Sequence, residues 1–177
     1  MEAKTHVMLD LETLGTAPGS VIVSIGAVKF SAGHILSSFY AVIDPQSCVD
    51  AGLKMDAATV MWWMKQSEEA RTALMGSVTH PSLHLAEVLQ DLAIWMCTDL
   101  RPCIWGNGAS FDCALLAAAF RACGRIIPWK YSSERCYRTV KALHSDVPED
   151  PREGTHHHAL ADAKHQAMHL MKLLPNL

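Results

Sequence analysis

Asp10 and Glu12 stand one residue apart in the run MLDLETLG, residues 8–15. The run is otherwise apolar and reads as a strand, where alternation turns residues i and i+2 to one face. Two carboxylates on one face repel each other, so folding alone does not select the pair. A cation between them would. Two other places set acids in unusual surroundings. One is NGASFD, residues 107–112, where a short apolar run ends in glycines and a helical pattern takes over at Asp112. The other is HHALAD, residues 157–162, where His157 precedes Asp162 by five positions at the head of the last helical pattern. Each has a plain structural reading when taken singly. A D-x-E recurs by chance, and an acid near a helix N-terminus is favoured by the helix dipole.

The elements that must carry these residues follow from hydrophobic periodicity. Residues 6–10 read as a first strand, residues 15–20 (GTAPGS) as turn material, and the β-branched run at 21–30 as a buried second strand. A short turn leads to a third strand at 37–43. Helical composition then covers 55–76 and 81–98, the latter with Leu85, Val88, Leu89, Leu92 and Trp95 at 3–4 spacing. Residues 102–108 read as a short strand. Helices follow at 110–123, 135–144 and about 158–173, with a Pro-, acid- and Gly-rich loop before the last. Strands lead and then mix with helices without repeat or linker, which predicts one α/β or α+β domain over residues 1–177.

Composition agrees with a folded domain: 177 residues, 50% hydrophobic and 19% charged. No apolar run approaches the roughly 20 residues of a membrane span, and the N-terminus lacks a signal-peptide layout. The expectation is a soluble, cytoplasmic protein with no membrane partner. Six cysteines occur without any C-x-x-C spacing, so free, mostly buried thiols are expected rather than bridges or a zinc cage. Net charge is −3, which argues weakly against nucleic acid. However, residues 121–145 carry six cations against Glu134 alone, so this segment is +5 and the remainder −8. Two divalent ions on four acids would bring the total to about +1.

The three motifs in this order resemble the DEDDh (DnaQ-like) 3′–5′ exonucleases: D-x-E on the first strand, an Asp at a strand-to-helix junction, then H-x-x-x-x-D near the C-terminus. The resemblance covers nearly the whole chain. VMWWMKQSEEAR, WGNGASFDCALL, RCYRTVKALH and REGTHHHALADAKHQA are similar to a subgroup of small bacterial and phage exoribonuclease-like proteins. A second acid often precedes the last Asp in such relatives; Ala161 stands there in this chain, outside the four-carboxylate set.

The resemblance implies an α/β, ribonuclease-H-like fold with a central mixed β-sheet flanked by α-helices. It implies that Asp10, Glu12, Asp112 and Asp162 hold two divalent cations, Mg²⁺ or Mn²⁺, and that His157 is the general base. Hard cations require oxygen ligands, and two of them roughly 4 Å apart activate water and stabilise the leaving oxygen of a phosphodiester. An imidazole titrates near neutrality, as the proton acceptor must. The spacing to Asp162 and the following Ala159 favour His157 over His158. The substrate would be a single-stranded or 3′-overhang end of RNA or DNA, and the product a nucleoside 5′-monophosphate. Thr13, Leu14 and Gly15 are placed for the terminal sugar, with Leu14 as a wedge against the last base. Asn107, Trp62, Arg135 and Arg138 complete the expected substrate-binding set. Trp62 and Trp63 are adjacent, so one faces the core and the other is available for base stacking. Arg135, Arg138 and Lys141 suit phosphates, whereas Tyr137 suits packing. GNG at 106–108 is no phosphate loop, since no GK[ST] follows.

Other readings stay open on the sequence. His158, Asp162, His165 and His169 share a helix face at zinc-ligand spacings, although a face about 120° from the apolar stripe by 100° per residue is ordinarily wet; His165 and His169 are expected to be solvated. A zinc hydrolase is therefore one rival, and a catalytically silent nucleic-acid-binding module with the same fold is another. The Met- and Trp-rich stretch at 61–64 would suit a homodimer contact.

Overall fold

The computed structural model describes residues 5–31, 33–97, 102–152, 154 and 156–174. Strand β1 (His6–Thr13) continues past the predicted 6–10, because Leu11 keeps the alternation and Glu12 pairs with Ser24 of the next strand. Asp10 and Glu12 thus lie inside the strand. Val7, Leu9 and Leu11 point into one apolar layer, and Met8 into the other. The even-numbered row that starts with Met8 continues through Asp10 and Glu12.

Strand β2 (Ile22–Ser31) is buried throughout and runs antiparallel to β1 and to β3 (His34–Ile43). Three short strands complete the sheet: β4 (Ser82–Leu83), β5 (Cys103–Gly106) and β6 (Glu134–Cys136). The order is β4-β3-β2-β1-β5-β6, with β5 parallel to both β1 and β6. A mixed sheet of this kind matches the expectation; β4 and β6 were not expected.

Helices cover both faces. Helix α1 (Pro45–Asp50) starts with Pro after an Asp44 cap. The expected helix at 55–76 is two helices, α2 (Ala57–Trp63) and α3 (Glu68–Leu74), because the Ser67 side chain accepts from the Ala70 amide and begins a new N-terminus. Helix α4 (Leu85–Met96) buries Leu85, Val88, Leu89, Leu92 and Met96. It starts later than predicted because residues 82–83 pair with β3; Thr98, the predicted end, lies outside the described residues. Helix α5 (Asp112–Ala122) joins α4 on the Val7–Leu9–Leu11 side. On the other side α6 (Tyr137–Leu143) and α7 (Ala159–Leu173) pack on Met8, Val28 and Phe30. Burial of the two apolar layers is the main favourable contribution, at about 25 cal/mol per Å².

The six cysteines are unbridged; Cys48, Cys103 and Cys113 are buried, Cys123 and Cys136 partly so, and Cys97 is exposed. No helix among the described residues is long and apolar enough to cross a membrane.

Candidate active site

Two glycines make room for the acids. Gly26 pairs with Asp10 across the β1–β2 ladder, and a Cβ there would lie 2.2 Å from the carbonyl carbon of Ala159. The N-terminus of α7 therefore rests on the sheet beside Asp10 and brings Asp162, in its first turn, over the acidic row. Gly106 pairs with Leu9, and a Cβ on it would lie 2.8 Å from Asp112 Oδ2. Asp112 thus fits against the end of β5 at the start of α5. Asp10, Glu12, Asp112, Asp162 and His157 line one cavity of about 610 Å³.

Crowding and desolvation act together there. Burial, followed by the charges of Asp112, Glu12 and Asp162, holds Asp10 well above the ordinary carboxylate range; only a 2.7 Å hydrogen bond from Gln166 Nε2 pulls the other way. Burial, then Asp162 and Asp112, pushes Glu12 up to about 8. Burial raises Asp112 to about 7, against backbone donors and the Arg138 charge. Asp112 Oδ2 is buried with no hydrogen-bond partner among the described residues. Glu12, His157 and Asp162 each offer a ligand atom within 4.8 Å of the others. Crowded carboxylates with one buried oxygen left over, Asp112 Oδ2, fit a hard divalent cation, which the four acids would hold.

His157 has φ 61°, the one positive φ outside glycine among the described residues, a strained backbone of the kind found at functional sites. Its ring meets Trp62 and Trp63 edge-to-face at 5.0 and 5.8 Å, and its amide donates to Asp162 Oδ2 at 3.2 Å. Burial, and then the neighbouring His156, lower its pKa, so the ring is neutral at physiological pH and able to accept a proton. His158 lies elsewhere: it caps α7, with Nδ1 3.5 Å from the Ala161 amide, and stacks on Tyr40 at 4.5 Å.

Thr13, Asn107, Trp62 and Arg138 line the same cavity, and Arg138 Nη2 donates to the Asn107 carbonyl at 2.7 Å. The adjacent tryptophans divide as their sequence predicts. Trp62 is 43% exposed at the rim, whereas Trp63 is buried and donates from Nε1 to the Thr13 carbonyl at 2.8 Å. Leu14, Gly15 and Arg135 are not among the lining residues. The Leu14 amide is spent on Val21 and its carbonyl on Asp56, and its partly buried side chain packs against the core. Gly15 gives its carbonyl to Thr13 Oγ1 at 2.7 Å. The Arg135 guanidinium donates to the Ser132 and Glu134 carbonyls.

The predicted solvation of His165 and His169 is wrong. His169 is 2% exposed; its Nδ1 meets the Tyr137 hydroxyl at 2.7 Å and its Nε2 the Val147 carbonyl at 3.1 Å. His165 Nε2 meets Glu149 at 2.8 Å. The face of α7 opposite its apolar stripe is where residues 147–152 lie down, so these imidazoles have partners of their own. Gln166 and Arg152, which ion-pairs with Asp162, join the cavity without having been among the expected residues. Gln166 had a local signal, one turn after Asp162; Arg152 had none.

Comparison with known proteins accords with this geometry. A family model for the Rv2179c-like 3′–5′ exoribonuclease domain matches residues 5–174. No curated protein matches the chain in sequence. Among solved structures, the nuclease domain of 3′hExo, a DEDDh family member bound to rAMP, superposes with TM-score 0.64 at 13% identity, covering 98% of this chain and 92% of its own. Exonuclease X in complex with 5′ overhanging duplex DNA gives 0.57 at 17%, covering 95% and 90%. The metal-free E. coli ExoI–ssDNA complex gives 0.61 at 17%, with 97% of this chain but only 40% of that longer protein. At these identities the likeness is one of fold: the ribonuclease-H-like sheet with its helical layers.

Proposed function

The chain belongs to the Rv2179c-like 3′–5′ exoribonuclease domain family and is a 3′–5′ exonuclease, and on that premise we propose that it removes nucleoside 5′-monophosphates from single-stranded or overhanging 3′ ends, with RNA preferred over DNA. The observation that carries this reading is the meeting of Asp10, Glu12, Asp112, Asp162 and His157, drawn from β1, α5, α7 and the loop before α7, in one cavity. DEDDh exonucleases use divalent metals, and two Mg²⁺ or Mn²⁺ ions on the four carboxylates would supply an activated water and a stabilised leaving oxygen.

The chain's own groups do the rest. An imidazole nitrogen of His157 takes the proton from the attacking water. Trp62 offers an exposed ring to the terminal base. Arg138, fixed by the Asn107 carbonyl, faces a strand phosphate, and Thr13 borders the terminal sugar. The family description favours RNA.

The test uses 5′-labelled RNA and DNA oligomers, single-stranded and with overhangs, after chelation and re-addition of Mg²⁺, Mn²⁺ or Zn²⁺. A ladder shrinking from the 3′ end with Mg²⁺ or Mn²⁺, faster on RNA, supports the proposal. Binding without shortening under every ion would instead indicate a silent module, and restoration by Zn²⁺ alone a zinc hydrolase.

A further inference from the structure

We propose that the Arg152 guanidinium has two successive partners: the Asp162 carboxylate in the metal-free protein and, once divalent cations hold the acids, a phosphate of the bound strand. The second partner rests on the exonuclease reading above. Among the described residues Arg152 is the one cation ion-paired with a site acid. Both Asp162 oxygens are then occupied, Oδ1 by Arg152 and Oδ2 by the His157 amide. An incoming cation competes with these donors for the carboxylate, and most directly with the Arg152 charge. The amide is held by the backbone, whereas the Arg152 side chain is 40% exposed. It borders the 610 Å³ catalytic cavity and a neighbouring one of about 680 Å³, so it has space to turn on either side.

The backbone beneath it is anchored independently. Val147 is held by His169, Glu149 by His165 and Lys141, and Asp150 by Lys172. Arg152 therefore stays at the rim when it leaves Asp162. A planar guanidinium released from a carboxylate, in a site built for an anionic strand, matches a phosphate in charge and in shape.

The experiment compares wild type with R152A and R152K, each checked by circular dichroism. Mn²⁺ binding to the strand-free protein is read by electron paramagnetic resonance. Anisotropy of a labelled RNA oligomer with a 3′-terminal phosphorothioate, in Ca²⁺, reads strand affinity. R152A is expected to bind Mn²⁺ about 5-fold more tightly, since its competitor is gone, and the strand about 10-fold more weakly. R152K is expected to lie near wild type for Mn²⁺ and below it for the strand, because an ammonium keeps the charge but not the fork. Unchanged or weaker Mn²⁺ binding by R152A, or unchanged strand affinity, overturns the proposal. A wild-type protein that binds Mn²⁺ yet shortens no strand overturns the exonuclease reading instead, a distinct result.

Discussion

Gly26 faces Asp10 across the first strand pair, and the Ala159 backbone rests on the place where a side chain at Gly26 would be, 2.2 Å from its Cβ. The contact couples the seating of α7 to the geometry of the acids. Gly26→Ala has nowhere to put its methyl except by lifting α7, and with it Asp162. The expected cost is about 1–3 kcal/mol of stability, as for overpacking in general, together with weaker Mn²⁺ binding. Thermal melts and Mn²⁺ titration check both. A stable variant with wild-type Mn²⁺ affinity would show that α7 is not seated by this glycine.

Stability should fall with pH when metal is absent. Glu12 and Asp112 titrate at about 8 and about 7 in the fold, well above their ordinary values of 4.5 and 3.8. The folded protein thus holds protons that the unfolded chain releases, and stability is lost as pH rises from about 4 to 8. Melting temperatures in EDTA should drop by several degrees over that range, and Mg²⁺ or Mn²⁺ should restore more at pH 8 than at pH 5. A flat profile in EDTA would contradict the crowding of these acids.

Asp112→Asn separates chemistry from folding. Asp112 Oδ2 is buried with no hydrogen-bond partner among the described residues, so its charge costs stability in the metal-free state. Activity should fall by ~10³-fold, the scale of several kcal/mol of metal-borne stabilisation, while the melting temperature in EDTA at pH 8 does not drop. An active variant would remove Asp112 from the catalytic set.

His157→Ala should reduce kcat by ~10²–10⁴-fold, the usual contribution of a general base, with strand affinity in Ca²⁺ retained. His158→Ala should instead weaken the α7 cap and the Tyr40 stack, and show mainly as a lower melting temperature. Equal kinetic losses in the two variants would mean that the base is misassigned.

The adjacent tryptophans should part company. Trp62→Ala removes a rim platform and should raise KM by about 5- to 100-fold, the range for one base–aromatic stack, without lowering the melting temperature. Trp63→Phe loses a buried hydrogen bond to Thr13 and should cost ~1 kcal/mol of stability. Melts and oligomer kinetics on both variants distinguish the roles.

What the chain disclosed in advance follows from how local each signal is. Asp10 and Glu12 stand out because alternation within one strand puts them on one face, whereas their grouping with Asp112, His157 and Asp162 comes from the order of the three motifs in the family resemblance. β4 and β6 were not, since two or three residues carry no periodicity. The break at Ser67 was hidden inside a continuous helical composition. Arg152 and the buried side of His169 depend on residues 147–152 folding back along α7, a long-range event with no mark in the sequence.

The candidate site draws two acids from near residue 10 and another from near residue 162. A ribosome therefore releases the first half of the site long before the second has been translated. Until α7 emerges and docks, the acidic row of β1 stands without Asp162.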